Sequence, residues 1–171
     1  MKITPYALSA AVAAVFSLPA FATDSAEHSA ARQRADAEYT VEKDHCKTLR
    51  GHDKDVCDTQ AKAHRDKAYA EADARYKNTP SATASARKDK ADADYNVAAA
   101  KCDAMSGKAK DACVAEAKAD RDRERAEANA KRDVAAADRD ADYKVAKARC
   151  DTMNGRAKDD CLSQAQARYN K

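Results

Sequence analysis

The stretch CDAMSGKAKDAC, residues 102–113, decides the fold, because it places two cysteines eleven positions apart with a glycine between them. The same spacing recurs at 46–57 (CKTLRGHDKDVC) and at 150–161 (CDTMNGRAKDDC). The full repeat reads Y-x-V-x4-C-x2-[LM]-x-G-x2-K-D-x-C-x2-[QE]-A-x-A and covers 39–63, 95–119 and 143–167. It contains all six cysteines of the 171-residue chain. The chain is therefore built from three copies of one unit.

The glycine between the cysteines predicts a helical hairpin in each copy. Eleven residues of unbroken helix would separate the cysteines by about 16 Å, whereas bonded cysteines have Cα atoms about 4.4–6.8 Å apart. A reversal at the glycine removes this conflict, and glycine closes helices readily in the left-handed conformation. We therefore predict one disulfide and one turn in each copy. The pairs are Cys46–Cys57, Cys102–Cys113 and Cys150–Cys161, and the turn residues are Gly51, Gly107 and Gly155.

The composition predicts an all-α protein. Beyond residue 22 there is no Phe, Ile or Trp, and Ala, Lys, Arg and Glu, which are strong helix formers, predominate. Helices are expected at 26–50, 52–77, 81–106, 108–154 and 156–169. The first cysteines of the copies, Cys46, Cys102 and Cys150, are unevenly spaced along the chain. This spacing predicts stapled antiparallel hairpins joined by long helices of different length, in an elongated or loose bundle and not in a uniform solenoid.

Packing is expected to be concentrated near each turn. Tyr95, Ala98, Cys102 and Met105 form an i, i+3, i+7, i+10 stripe, which 143–153 repeats. With so few large apolar residues, stability should depend on the disulfides, each of which contributes about 2–3 kcal/mol.

Three further features each have two interpretations. The Lys-Asp pairs lie at 54–55, 110–111 and 158–159. We interpret them as stabilising the first turn of the returning helix, with a repeated recognition patch as the alternative. The tyrosines that begin the copies are expected to pack between the hairpin helices, with a partner contact as the second interpretation. His28 is expected to be solvated.

The N-terminal segment, 1–22, predicts an export signal. Lys2 precedes an apolar segment, 6–18, and Ala20-Phe21-Ala22 matches the small-x-small cleavage rule. The segment is too short to span a membrane, and no later segment is apolar enough. We expect a periplasmic or secreted protein without an integral membrane segment, in a compartment where cysteines pair. The expected divisions are the signal peptide, 1–22, and three hairpins, 23–79, 80–130 and 131–171.

The residue pattern disfavours several functions. His45, His52 and His64 lie near the first cysteine pair, but the other copies have no histidine, so we expect no metal and no cofactor. Catalysis requires a nucleophile or a perturbed base in a pocket, and no such constellation is visible, so no enzymatic activity is expected. Acidic residues interrupt every basic run and the formal net charge is +3, which disfavours nucleic acid as a partner.

The C-D-x-M-x-G-x-x-K-D-x-C stretches at 102–113 and 150–161 resemble those of uncharacterised Ala/Lys/Asp-rich exported proteins of Gram-negative bacteria. Such proteins are often described as TolA-like, since the helical stalk of TolA has a similar composition. The resemblance implies a protein of the cell envelope.

The function predicted from these features is that of a non-enzymatic structural or interaction protein of the envelope, a spacer or stress-related component with protein partners. The alternative is a module that binds a metal or small ligand through His45, His52, His64 and free thiols.

Overall fold

A computed structural model describes residues 20–169 and 171, with side-chain surroundings from residue 25 onward. It contains five helices and, within those residues, no strand: α1 (Ala20–Cys46), α2 (Gly51–Lys77), α3 (Pro80–Cys102), α4 (Gly107–Cys150) and α5 (Gly155–Tyr169). The all-α fold with three disulfide-stapled hairpins is confirmed. The predicted signal peptide lies outside the described residues except for its last three.

Each outgoing helix ends at the first cysteine of its pair, four residues earlier than the sequence predicted. The reason is a tightening of the chain into i→i−3 hydrogen bonds directly after the helix. The amide of Leu49 donates to the carbonyl of Cys46 at 3.1 Å, and Met105 and Met153 donate in the same way to Cys102 and Cys150. The turn therefore takes four residues, and the two methionines lie in it, 48% and 43% exposed, instead of extending the packed stripe.

The three glycines adopt the left-handed conformation, with φ of +57°, +56° and +58°. They open the returning helices, whereas the sequence predicted that they would close the outgoing ones. An extended residue precedes them, as at Arg50 (φ −139°, ψ 156°). One consequence is that Asp55 and its equivalents lie beyond the first turn, so their predicted role at the helix terminus is wrong.

The connection between α2 and α3 is different, because it has no disulfide. Asn78 adopts the left-handed conformation (φ 44°) and its amide donates to the carbonyl of Ala74 at 2.9 Å. The side chain of Thr79 then caps α3 by accepting a hydrogen bond from the amide of Ala82 at 3.1 Å, and Pro80 is the first helical residue. These three residues reverse the chain and place α2 antiparallel to α3.

Within the described residues, each helix contacts only the helices before and after it in sequence. Helices α1 to α4 therefore form an open layer that is one helix thick. Helix α4 has 44 residues and a length of about 66 Å. Helix α3 lies along the first half of α4, and α5 lies along the second half. Hairpins two and three therefore share α4, and the second half of α4 with α5 extends from the layer as an arm.

The core of this layer consists of eleven alanines and three cysteines. On the two middle helices the buried alanines occur as A-x-A doublets: Ala61/Ala63, Ala70/Ala72, Ala84/Ala86 and Ala91/Ala93. Residues two apart lie on opposite sides of a helix. Each doublet thus gives α2 or α3 one alanine for each neighbour, and the small methyl groups let the helices approach closely on both sides.

The cap at Thr79 provides a test of the α2–α3 connection. Thr79→Ala should lower the free energy of unfolding by about 1 kcal/mol, because the amide of Ala82 loses its acceptor. Thr83→Ala, at an exposed site one turn later, is the matched control and should change stability by less than about 0.5 kcal/mol. Urea denaturation followed by circular dichroism measures both. Equal effects of the two substitutions would show that the cap does not stabilise the turn.

Candidate functional site

Each of the three glycine turns is closed by a disulfide, and we call this disulfide together with the ion pair beside it a clasp. The Cα–Cα distances are 5.5 Å for Cys46–Cys57, 5.8 Å for Cys102–Cys113 and 5.6 Å for Cys150–Cys161. The first cysteine of each pair is at most 2% exposed, while the second is half-buried. No free cysteine occurs in the described residues, so the free thiols of the alternative ligand site are not present.

In copies two and three the lysine of the motif forms an ion pair across the turn. Lys110 lies 2.8 Å from Asp103, and Lys158 lies 3.0 Å from Asp151. Each aspartate directly follows the first cysteine of its pair. The lysine of the Lys-Asp motif therefore joins the two arms of the hairpin beside the disulfide. The sequence interpretations did not include this contact, and the structure does not test whether the Lys-Asp pairs also form a recognition patch.

The first clasp reverses the charges. Lys47 occupies the position of the missing aspartate, and Asp58 instead follows the second cysteine. Asp58 lies 2.7 Å from Lys43 on the outgoing helix and 2.5 Å from Lys54 on its own helix. An ion pair across the hairpin is thus present in every copy, with the acid on the outgoing arm in copies two and three and on the returning arm in copy one.

These ion pairs shift titration equilibria in the expected directions. The hydrogen bond from Lys110 lowers the pKa of Asp103 below its usual value, with a smaller contribution from the charge of His52. The hydrogen bond from Lys147 and that from Lys158 lower the pKa of Asp151. Because α2 and α3 are antiparallel neighbours, the first two turns lie at the same end of the layer.

The repeat tyrosines pack across the hairpins, as the first interpretation predicted. The guanidinium of Arg65 lies 4.4 Å from the ring centre of Tyr39, and that of Arg121 lies 4.7 Å from the ring of Tyr95. Such cation–π contacts contribute about 0.5–1 kcal/mol at exposed sites. In copy three the position equivalent to these arginines is Tyr169, which meets Tyr143 edge-on at 6.2 Å.

The histidines are not brought together. His64 Nδ1 lies 2.9 Å from Glu42, and His52 is the second residue of α2. Among the described residues there is no group of three or more His, Cys, Asp or Glu side chains that could hold a metal ion. The geometry therefore gathers no ligand set from His45, His52 and His64.

His28 is not solvated as predicted. Its Nε2 lies 2.6 Å from Asp73, and its ring stacks on Tyr76 with 4.7 Å between the ring centres. Arg32 also donates to Asp73, at 2.9 Å. This cluster joins the start of α1 to the end of α2, the end of the hairpin that is opposite to the clasp. His28 and Tyr76 line a groove of about 450 Å³ between the two helices, with an alanine floor and a charged rim.

The repeat is longer than the motif from which the hairpins were predicted. Residues 25–77 and 81–133 correspond at a constant offset of 56. The matching segments are A-D-A-[DE]-Y-x-V at 35–41 and 91–97, A-K-A-x-R-D at 61–66 and 117–122, and A-E-A-x-A at 70–74 and 126–130. Helices α1 and α2 are thus repeated as α3 and the first half of α4, and the charged and alanine positions of the returning helix belong to the repeat.

In the described part of the chain no helix is both long enough and apolar enough to cross a lipid bilayer.

Fold and clasps together define an all-α protein of three disulfide-stapled helical hairpins. No protein-family model, curated protein or solved structure matches the chain at a significant level. The function of the protein must therefore be inferred from its residues and their geometry.

The second disulfide provides a test of how strongly the clasps stabilise the fold. Replacing Cys102 and Cys113 together by alanine should lower the free energy of unfolding by about 2–3 kcal/mol, because the unfolded chain gains the freedom of an open loop. Met105→Ala, an exposed change in the same turn, is the control and should cost less than about 0.5 kcal/mol. Urea denaturation of the oxidised proteins measures both. A double variant as stable as the wild type would show that alanine packing alone holds the hairpin.

The ion pair of Asp103 and Lys110 should make stability depend on pH in a defined direction. Because the pKa of Asp103 is lower in the folded state, the stabilisation is present above the ordinary value of 3.8 and is lost as the pH falls through the folded pKa. The Tm difference between the wild type and Asp103→Asn should therefore narrow as the pH falls below that ordinary value. The Tm differences of Lys110→Met and of the double variant from the wild type should narrow in the same way as the pH falls. A Tm difference that does not change with pH would show that Asp103 and Lys110 do not form a stabilising ion pair.

Proposed function

We propose that the protein is a non-enzymatic, extracytoplasmic structural protein that acts as a spacer or interaction scaffold of the cell envelope. The observation that carries the proposal is the open layer, in which each described helix contacts only its neighbours in sequence. The layer is elongated because its helices are long: α4 alone extends for about 66 Å.

The clasps support this role because they hold helix pairs together without a large core. The described large side chains include exposed ones, among them Val41, Val134 and Val145, while the buried interior consists of alanine and cysteine. Charged side chains line the flanks of the helices and form ion pairs between them, as at Lys67–Asp94 and Lys90–Glu71. Such a structure keeps a fixed length with few residues, which suits a spacer.

The disulfides support a location outside the cytoplasm. Three pairs within one small chain are typical of proteins in oxidising compartments. The predicted export signal, 1–22, and the resemblance of the cysteine motif to exported proteins of Gram-negative bacteria point to the same compartment. We therefore propose the periplasm or the exterior as the place of action, with protein partners of the envelope.

Small-angle X-ray scattering of the mature, oxidised protein tests the spacer role. A compact chain of about 150 residues has a radius of gyration of about 15 Å. The open layer with its arm should give a clearly larger radius and a maximum dimension above the length of α4. Light scattering on the same samples, over a dilution series, gives the mass and so separates the shape of one molecule from association. A monomer whose radius of gyration equals that of a compact chain would overturn the spacer role.

A further inference from the structure

The packing of α2 against α3 shows which two surfaces of the repeat fit each other. Ala70 of α2 lines one groove with Ala86 and another with Ala93, both on α3. Two ion pairs flank these alanines, Lys67–Asp94 at 2.6 Å and Lys90–Glu71 at 2.5 Å. The returning helix of one repeat thus presents alanine, Lys and Glu to the outgoing helix of the next, which presents alanine, Asp and Lys.

The outgoing surface recurs on α1, where nothing in the described chain covers it. The offset of 56 relates the α2-facing residues of α3 to Ala30, Arg34, Ala37, Glu38 and Val41. All five are exposed, and Val41 is 70% exposed. The charges keep their signs and their order, since Arg34 replaces Lys90 and Glu38 replaces Asp94. Helix α1 packs against α2 through Ala35 on its other side, and Arg34 and Glu38 lie at the rim of the groove between the two helices.

The returning surface recurs on α4. The same offset relates the α3-facing residues of α2 to Ala119, Arg123, Ala126, Glu127 and Ala130. All five are exposed. Here too the charges are kept, because Arg123 replaces Lys67 and Glu127 is the equivalent of Glu71. The exposed strip continues along α4 to Val134 and Val145, which are 61% and 52% exposed.

Terminal repeats of a stacked array normally carry a polar outer face that stops the array. The outer faces of α1 and α4 have no such additional polar residues at the positions equivalent to the α2–α3 interface. They keep the alanines that permit close approach, Val41 is the equivalent of Val97 on the inner face of α3, and α4 adds the exposed Val134 and Val145. The two edges of the molecule therefore carry the alanines and the charge order of the two sides of the inner interface.

We propose that a second copy of this chain occupies these faces, with the outer face of α4 from one molecule docked on the outer face of α1 from the next, as α2 docks on α3. The two ion pairs of the inner interface recur across the contact: Arg123 of one copy faces Glu38 of the other, and Glu127 faces Arg34. The contact joins two different surfaces, so it is heterologous and yields a ring if the rotation closes or a filament if it does not.

This association does not depend on the proposed spacer role, since the scattering of a monomer at low concentration tests that role separately. Its own test is a charge swap that leaves net charge unchanged. One variant carries Arg34→Glu with Glu38→Lys on α1, a second carries Arg123→Glu with Glu127→Arg on α4, and a third combines all four. Circular dichroism establishes that each variant has the helix content of the wild type. Sedimentation velocity over a concentration series then measures assembly of the oxidised proteins.

The wild type should assemble beyond the monomer as its concentration rises. Each pairwise swap brings like charges together at both ion pairs and should weaken assembly at least tenfold, at about 1.4 kcal/mol for each factor of ten. The fourfold variant, or a mixture of the two pairwise variants, should restore it to within about threefold. A wild type that stays monomeric overturns the proposal. So does assembly that either swap leaves unchanged or that the fourfold variant does not recover, because the copies would then meet through other surfaces.

Discussion

The structure depends on holding two helices together when neither has large apolar side chains. A buried methylene contributes about 0.8 kcal/mol, so a core of alanines stabilises a helix pair weakly unless the helices are also tied together. The disulfides fix Cα atoms of the two helices 5.5–5.8 Å apart beside each turn, and so tie the two backbones together covalently. Away from the turns the two helices bury mainly alanine against each other. Clasp and alanine core therefore act together to hold each helix pair.

The cysteine spacing was sufficient to predict the hairpins, because helix geometry forbids the bond in any straight helix. The ends of the helices could not be predicted as well. A glycine in a turn is typical of the close of the preceding helix, yet Gly51 and its equivalents open the next one, after an i→i−3 turn that leaves no strong sequence signal. The partner of the motif lysine was also missed. Its signal lay in comparing copies: the acid follows the first cysteine at Asp103 and the second at Asp58.

The two-sided packing of the middle helices could not be predicted from periodicity, for a physical reason. An amphipathic helix has one apolar face, so its apolar residues recur three and four positions apart. A helix between two neighbours needs an apolar line on each of two opposite sides. The result is the A-x-A doublet, as at Ala70/Ala72. Its two alanines lie on opposite faces of the helix, so they cancel each other in a periodicity analysis that searches for a single apolar face. The doublets, together with the constant offset of 56, would have indicated a layer of helices.

The difference between the two junctions of the chain then explains why the molecule has exposed edges. Asn78, Thr79 and Pro80 reverse the chain after α2, so hairpin two folds back and covers the outer face of hairpin one. The second junction is shorter and contains no equivalent turn, so α4 continues straight into hairpin three. Had the chain reversed there, hairpin three would cover the outer face of α4 as α3 covers that of α2. The absence of a second reversing turn thus accounts for both the long arm and the free face of α4. A face that has the residues of an inner interface, and no hairpin packed on it, is suited to receive the matching helix of another copy.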